Sequence, residues 1–113
     1  MYKYNITKKD NLVFLNMSGR LMIDQDAQKM QEDLFSIINS ELNTVVIDFK
    51  SLEYCNSSGL NSLITILTKT RNLGGDTVIT NIPKKINELL IITKLNTVFN
   101  IIDNIEDFIN KNK

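Results

Sequence analysis

The chain has 113 residues, and its 13 Lys and Arg balance 13 Asp and Glu, which argues against a nucleic-acid binder built on a basic face. It contains no His and one Cys, so Ser-His or Cys-His activation, His-ligated or thiolate metal sites and an internal disulfide framework are all excluded. Hydrophobic residues at 42% suffice for one core, while no apolar run approaches the ~18 residues that cross a bilayer.

These properties predict one soluble cytoplasmic domain over residues 1–113, in a reducing compartment, with no membrane insertion. Met1-Tyr2-Lys3-Tyr4-Asn5 carries no apolar signal core. Neither Gly-x-x-x-x-Gly-Lys nor Gly-x-Ser-x-Gly occurs, and no paired carboxylates stand out. The chain is therefore not expected to be an enzyme, nor to need a cofactor or a metal.

In chain order, residues 2–7 alternate apolar and polar as a half-buried strand does, and residues 8–11 form a polar turn. Residues 12–17 make a second strand, giving an antiparallel hairpin that Ser18-Gly19-Arg20 ends. Asp24 or Asp26 is suited to cap the next helix, in which Ala27, Met30, Leu34, Ile37 and Ile38 share one face. Asn39 to Asn43 close it. Residues 44–49, Thr-Val-Val-Ile-Asp-Phe, read as a strand covered on both faces.

Cys55-Asn56-Ser57-Ser58-Gly59-Leu60 then opens a helix whose Leu60, Leu63, Ile64 and Leu67 form a core stripe, until Gly74-Gly75 stops it. Residues 76–81 hold another strand, and Pro83 sits near the start of a short helix carrying Ile86, Leu89 and Leu90. Residues 97–102 read as a last strand. Asp103 with Glu106 resembles a capping box before a helix of Ile105, Phe108 and Ile109, and residues 110–113 read as a frayed end. Strands that alternate with helices from residue 44 onward predict mostly parallel pairing there.

The informative segment is the strand-to-helix junction, where two hydroxyls meet the free N–H groups and positive dipole end of a helix. Such a position suits a reversible phosphate or an anion contact. The plain structural reading is that Ser57 and Ser58 cap the helix. Cys55 reads as a small buried thiol with no basic neighbour to activate it. Asp48 either bonds loop amides near the junction or merely ends its strand.

The order of elements and these motifs together resemble a STAS domain, the fold of bacterial anti-sigma factor antagonists. The resemblance covers nearly the whole chain. It rests on the opening hairpin, Ser18-Gly19-Arg20-Leu21 before an Asp-capped helix, and Val45-Val46-Ile47-Asp48 leading to Asn56-Ser57-Ser58-Gly59-Leu60. Gly74-Gly75 before a strand and Ile82-Pro83 before a short helix add to it. It implies an α/β, STAS-type single domain, with a mixed, mostly parallel β-sheet, an N-terminal antiparallel hairpin and about four helices.

The resemblance also implies a function. Ser57 would be phosphorylated by a partner anti-sigma factor, a serine kinase that uses ATP, and Ser58 would be the neighbouring, less favoured hydroxyl. The unphosphorylated form would bind that partner, and a metal-dependent phosphatase acting on phospho-Ser57 would restore binding. Asn56, Ser57, Ser58, Gly59, Met22, Ile23, Asp24 and Asn61 are the partner-binding candidates, with Thr65, Thr68 and the rest of residues 19–26 as neighbours. Asn56 stands where the family usually has Asp: similar in size and capping, but without a carboxylate for a partner's Arg or Lys. Two other readings are a constitutive STAS subunit of a transporter or other complex, without phosphorylation, and a small-nucleotide sensor lacking a glycine-rich loop.

Overall fold

The computed structural model describes residues 1–103 and 105–111. Strands β1 (Lys3–Lys9) and β2 (Leu12–Leu21) lead into helix α1 (Asp24–Phe35), strand β3 (Thr44–Cys55) and helix α2 (Ser57–Asn72). Strand β4 (Asp76–Thr80), helix α3 (Lys84–Ile92), a 3-10 turn at Leu95–Thr97, strand β5 (Asn100–Ile101) and helix α4 (Ile105–Lys111) complete the order. The sheet runs β1-β2-β3-β4-β5, antiparallel between β1 and β2 and parallel elsewhere. This is the mixed, mostly parallel α/β sheet with an antiparallel edge that the sequence predicts.

The hairpin is tighter than expected. Lys9 pairs with Leu12, leaving a two-residue loop in which Asp10 and Asn11 both have positive φ, 53° and 66°. That is the primed turn whose twist matches the strands it joins, and Asp and Asn tolerate it.

Both central strands outrun their expected ends. β2 does not stop at Ser18-Gly19-Arg20 but pairs with β3 through Leu21↔Cys55, with register shifts at 16/18 and 19/20. Gly19, at φ 81°, forms an irregularity inside the strand rather than an end, and a side chain there would overlap the Met1 carbonyl. Arg20 lies 5.4 Å over the Tyr54 ring, a cross-strand pair that supports the extension. Polar residues in 50–54 hide this half of β3 from a pattern-based reading, although Leu52 is buried.

Two clusters sandwich the sheet. Val13, Leu15, Met17, Val45, Ile47, Phe49 and Ile79 pack against Ala27, Met30 and Leu34 of α1, Leu60, Leu63, Ile66 and Leu67 of α2, and Ile86 and Leu90 of α3. On the opposite face Leu12, Val46 and Val78 meet Phe14, Ile105, Phe108 and Ile109. β3 is thus covered on both faces, as its uninterrupted apolar run requires.

Several local expectations need correction. Neither Asp24 nor Asp26 caps α1: Ile23 occupies the N-cap position without a side-chain bond, and both acids lie in the first turn, where the helix dipole favours them. α1 ends at Phe35, short of buried Ile38, because Asn39 Oδ1 accepts from the N–H groups of Glu41 and Leu42 (2.8 and 2.9 Å), an Asx turn that competes with the helix. In α2 the buried stripe includes Ile66, and Ile64 is only partly buried.

The last strand is shorter than residues 97–102. Lys94, at φ 63°, ends α3, and the N–H groups of Val98 and Phe99 donate to Leu95 O at 3.0 and 3.1 Å. Those donors are used locally, so pairing with β4 begins at Asn100 and continues through Ile101, with one further bond from the Ile102 N–H to Ile79 O at 2.9 Å. The expected Asp103–Glu106 capping box adjoins residue 104, and the expected fraying includes residues 112 and 113; these three lie outside the described residues.

Candidate phosphorylation and partner-docking site

The junction between β3 and α2 is built around Asn56. Its Oδ1 accepts from the Gly59 N–H at 2.9 Å, so Asn56, not Ser57 or Ser58, caps α2. Its own carbonyl accepts from the Leu60 N–H at 2.9 Å. The N–H groups of Ser57 and Ser58 have no carbonyl one turn back. Both serine side chains are exposed, at the first two positions of α2.

The helix can start here because residue 59 has no side chain. A Cβ on Gly59 would stand 2.5 Å from Cys55 Sγ and 3.0 Å from Leu21 Cγ, so the first turn of α2 lies directly on the ends of β2 and β3. Cys55 is fully buried beneath it, and burial pushes its thiol up from 9.0 to about 12. It is neutral and inert as a nucleophile at physiological pH. Ser62, also buried, donates its hydroxyl to Gly59 O at 2.6 Å and so braces the same turn.

Asn56 also reaches across to the segment between β2 and α1. Its N–H donates to Leu21 O at 3.1 Å, and its Nδ2 donates to Met22 O at 3.0 Å. Met22 and Ile23 are exposed, at 46% and 57%. Beside them, α1 and α2 leave a shallow groove whose lining includes Asp24, Gln28, Gln31, Ser58, Asn61 and Thr65. Every candidate from 22 to 24 and from 56 to 61 therefore belongs to one end of the molecule, where β2 and β3 finish and both helices start. Thr68 lies further along α2 and does not line the groove.

Asp48 is not part of this end. Its Oδ1 accepts from the Lys50 N–H at 2.8 Å and from Asn81 Nδ2 at 3.2 Å, so it ties β3 to the residue after β4 rather than to the junction. Conversely, Gln28 and Gln31 escaped the sequence reading. They share a helix face with Asp24 by their spacing, which was visible, but which face of α2 they meet was not.

Among the described residues, no group of His, Cys, Asp or Glu could hold a metal ion, and no helix is long and apolar enough to cross a membrane.

Comparison with known proteins gives one consistent result. The family model for the STAS domain matches residues 3–108. A Thermotoga maritima protein of known structure superposes with a TM-score of 0.83 at 20% identity, over 96% of this chain and 92% of that one. An anti-sigma factor antagonist from Mycobacterium paratuberculosis gives 0.79 at 17% identity, over 95% and 90%. The Bacillus cell-fate determinant SpoIIAA, in its phosphorylated form, gives 0.70 at 16% identity, over 98% and 100%.

Proposed function

The chain belongs to the STAS domain family, and on that premise we propose that it is an anti-sigma factor antagonist switched by phosphorylation at Ser57. It binds a serine-kinase anti-sigma factor while Ser57 carries a free hydroxyl, and so frees the sigma factor. The kinase uses ATP: Ser57 Oγ attacks the γ-phosphorus, ADP leaves, and the hydroxyl proton passes to a base on the partner. A phosphatase then hydrolyses phospho-Ser57, returning the hydroxyl and inorganic phosphate. The protein is a substrate and a binding module in this cycle, not its catalyst, and it acts in the cytoplasm.

The observation that carries the reading is the release of Ser57 from structural duty. Asn56 caps the helix, which leaves the Ser57 hydroxyl exposed beside two exposed apolar residues. A serine needed as a cap would destabilise the helix when modified; this one is not needed. Phosphate adds about −1.5 to −2 charge, and a helix N-terminus returns roughly 0.3–1 kcal/mol for it. A docked partner would have to strip water from that charge, at a cost of several kcal/mol. A net shift of about 4 kcal/mol weakens binding about a thousandfold. Blocking is thus electrostatic and steric, without a large rearrangement.

The test uses purified protein, its serine-kinase anti-sigma factor and ATP, followed by intact mass and binding measurements. One added phosphate is expected in the wild type and none in Ser57→Ala, with poor binding by Ser57→Asp. If Ser57→Asp binds as tightly as wild type, regulation at this residue is refuted and a permanent STAS subunit is the better reading.

A further inference from the structure

We propose that Asn56 is a positioning residue: its carboxamide clamps the segment carrying Met22 and Ile23 in register with Ser57, so that one partner meets the hydroxyl and both apolar side chains as a single rigid surface. The inference rests on Ser57 being the partner-facing switch, and it adds a residue that acts through a second segment.

The hydrogen bonds carry the argument. The ladder between β2 and β3 reaches Leu21↔Cys55, and Asn56 extends it by one bond from its N–H to Leu21 O (3.1 Å). The next carbonyl, Met22 O, accepts from Asn56 Nδ2 at 3.0 Å. The one after that, Ile23 O, accepts from the N–H groups of Asp26 and Ala27 at 3.0 and 3.2 Å. Three successive carbonyls are bonded, the first two by one residue. Side-chain packing contributes little at this point, because Met22 and Ile23 are 46% and 57% exposed and Ile23 makes no side-chain cap bond to α1. The path between the strand end and α1 is therefore held chiefly through its backbone, and Asn56 supplies the connection to α2.

Only a carboxamide of this length does both jobs. Oδ1 accepts from Gly59 N–H while Nδ2 donates to Met22 O. A carboxylate of the same size keeps the cap and suits the helix dipole. It has no proton for Met22 O, and it sets two acceptors against each other. Asn56→Asp therefore separates the clamp from the cap, which a merely structural role for Asn56 would not reveal.

Two arms test this. In the free protein, a scalar coupling across the hydrogen bond from Asn56 Nδ2 to the Met22 carbonyl carbon is expected in the wild type. Asn56→Asp should lower the backbone order parameters of Met22 and Ile23 from about 0.85 toward 0.6, while the amide shifts beyond the first turn of α2 stay as in wild type and the melting temperature stays within about 4 °C of it. An absent coupling, or unchanged order parameters in the variant, overturns the proposal.

The second arm measures affinity for the unphosphorylated protein's serine-kinase anti-sigma factor, loaded with ADP, in a double-mutant cycle. Asn56→Asp and Met22→Ala/Ile23→Ala should each weaken binding about tenfold, and the combination little more than either alone, because both remove the same contact. A hundredfold loss in the combination means that residue 56 acts on the partner directly, and the clamp is refuted. If Ser57→Asp binds normally in the same assay, it is the switch reading that fails, a result distinct from additivity in the cycle.

Discussion

Cys55 Sγ occupies the space where a side chain on Gly59 would begin, 2.5 Å from an ideal Cβ. The end of β3 and the first turn of α2 are consequently packed in direct contact, with Leu21 closing the third side at 3.0 Å. Gly59→Ala should destabilise the protein by about 1–3 kcal/mol through overpacking, despite alanine's better helix propensity. Urea denaturation measures the loss, and Cys55→Ala in the same chain should recover part of it. A Gly59→Ala variant as stable as wild type would mean that the turn is looser than the geometry requires.

Burial of Cys55 also makes stability depend on alkaline pH. Its pKa rises from 9.0 to about 12 because burial disfavours the thiolate. The folded protein therefore holds this proton after the unfolded chain has released it. The contribution is complete below pH 9 and declines as pH rises from 9 to 12, by at most about 1.4 kcal/mol per pH unit. Urea midpoints measured between pH 8 and 11 should fall less steeply in Cys55→Ala. The native thiol should also resist iodoacetamide at pH 8 and react only on unfolding.

Tyr2 offers a route to a more stable protein. Its hydroxyl is buried with no hydrogen-bond partner among the described residues, and its pKa is raised first by burial, then by neighbouring Cys55. The ring stacks on Tyr4, 5.9 Å between centroids. Tyr2→Phe keeps the stacking and removes the unpaired oxygen, so a gain of about 1 kcal/mol is expected. A lower melting temperature in this variant would show that the hydroxyl has a partner in solution.

The buried threonine pair behaves in the opposite way. Thr70 Oγ1 donates to Leu67 O at 2.9 Å and lies 2.8 Å from Thr77 Oγ1, linking α2 to β4. Thr70→Val strands the Thr77 hydroxyl in the core, at a cost of about 1–3 kcal/mol. Replacing both by Val should be close to neutral. A double variant as damaged as the single one would contradict this.

Where side-chain pattern and backbone chemistry agree, the fold was readable in advance. The apolar run 45–47 announced a two-sided strand, and the Leu60-Leu63-Leu67 spacing announced a helix face. Where neighbours settle the matter, it was not. The second half of β3 is polar enough to pass for a loop, and it is a strand because β2 continues beside it, past Gly19. The expected strand over 97–102 has the right residues, but Thr97, Val98 and Phe99 spend their N–H groups on a 3-10 turn. Asp24 and Asp26 look like caps from their type, yet the helix starts one residue too early for Asp24 to serve and three too early for Asp26.

The candidate site divides along the same line. Sequence alone identified the Ser57-Ser58-Gly59 junction and the alternatives of switch and cap, because hydroxyls at a strand-to-helix turn are a local signal; Met22 and Ile23 entered through the family resemblance. Only the tertiary structure decided that Asn56 is the cap, that Gly59 rests on Cys55, and that the Asn56 side chain bonds Met22, a residue 34 positions away. A carboxamide has two ends with opposite hydrogen-bonding character. One end answers to its own helix, while the other answers to whatever the fold brings beside it.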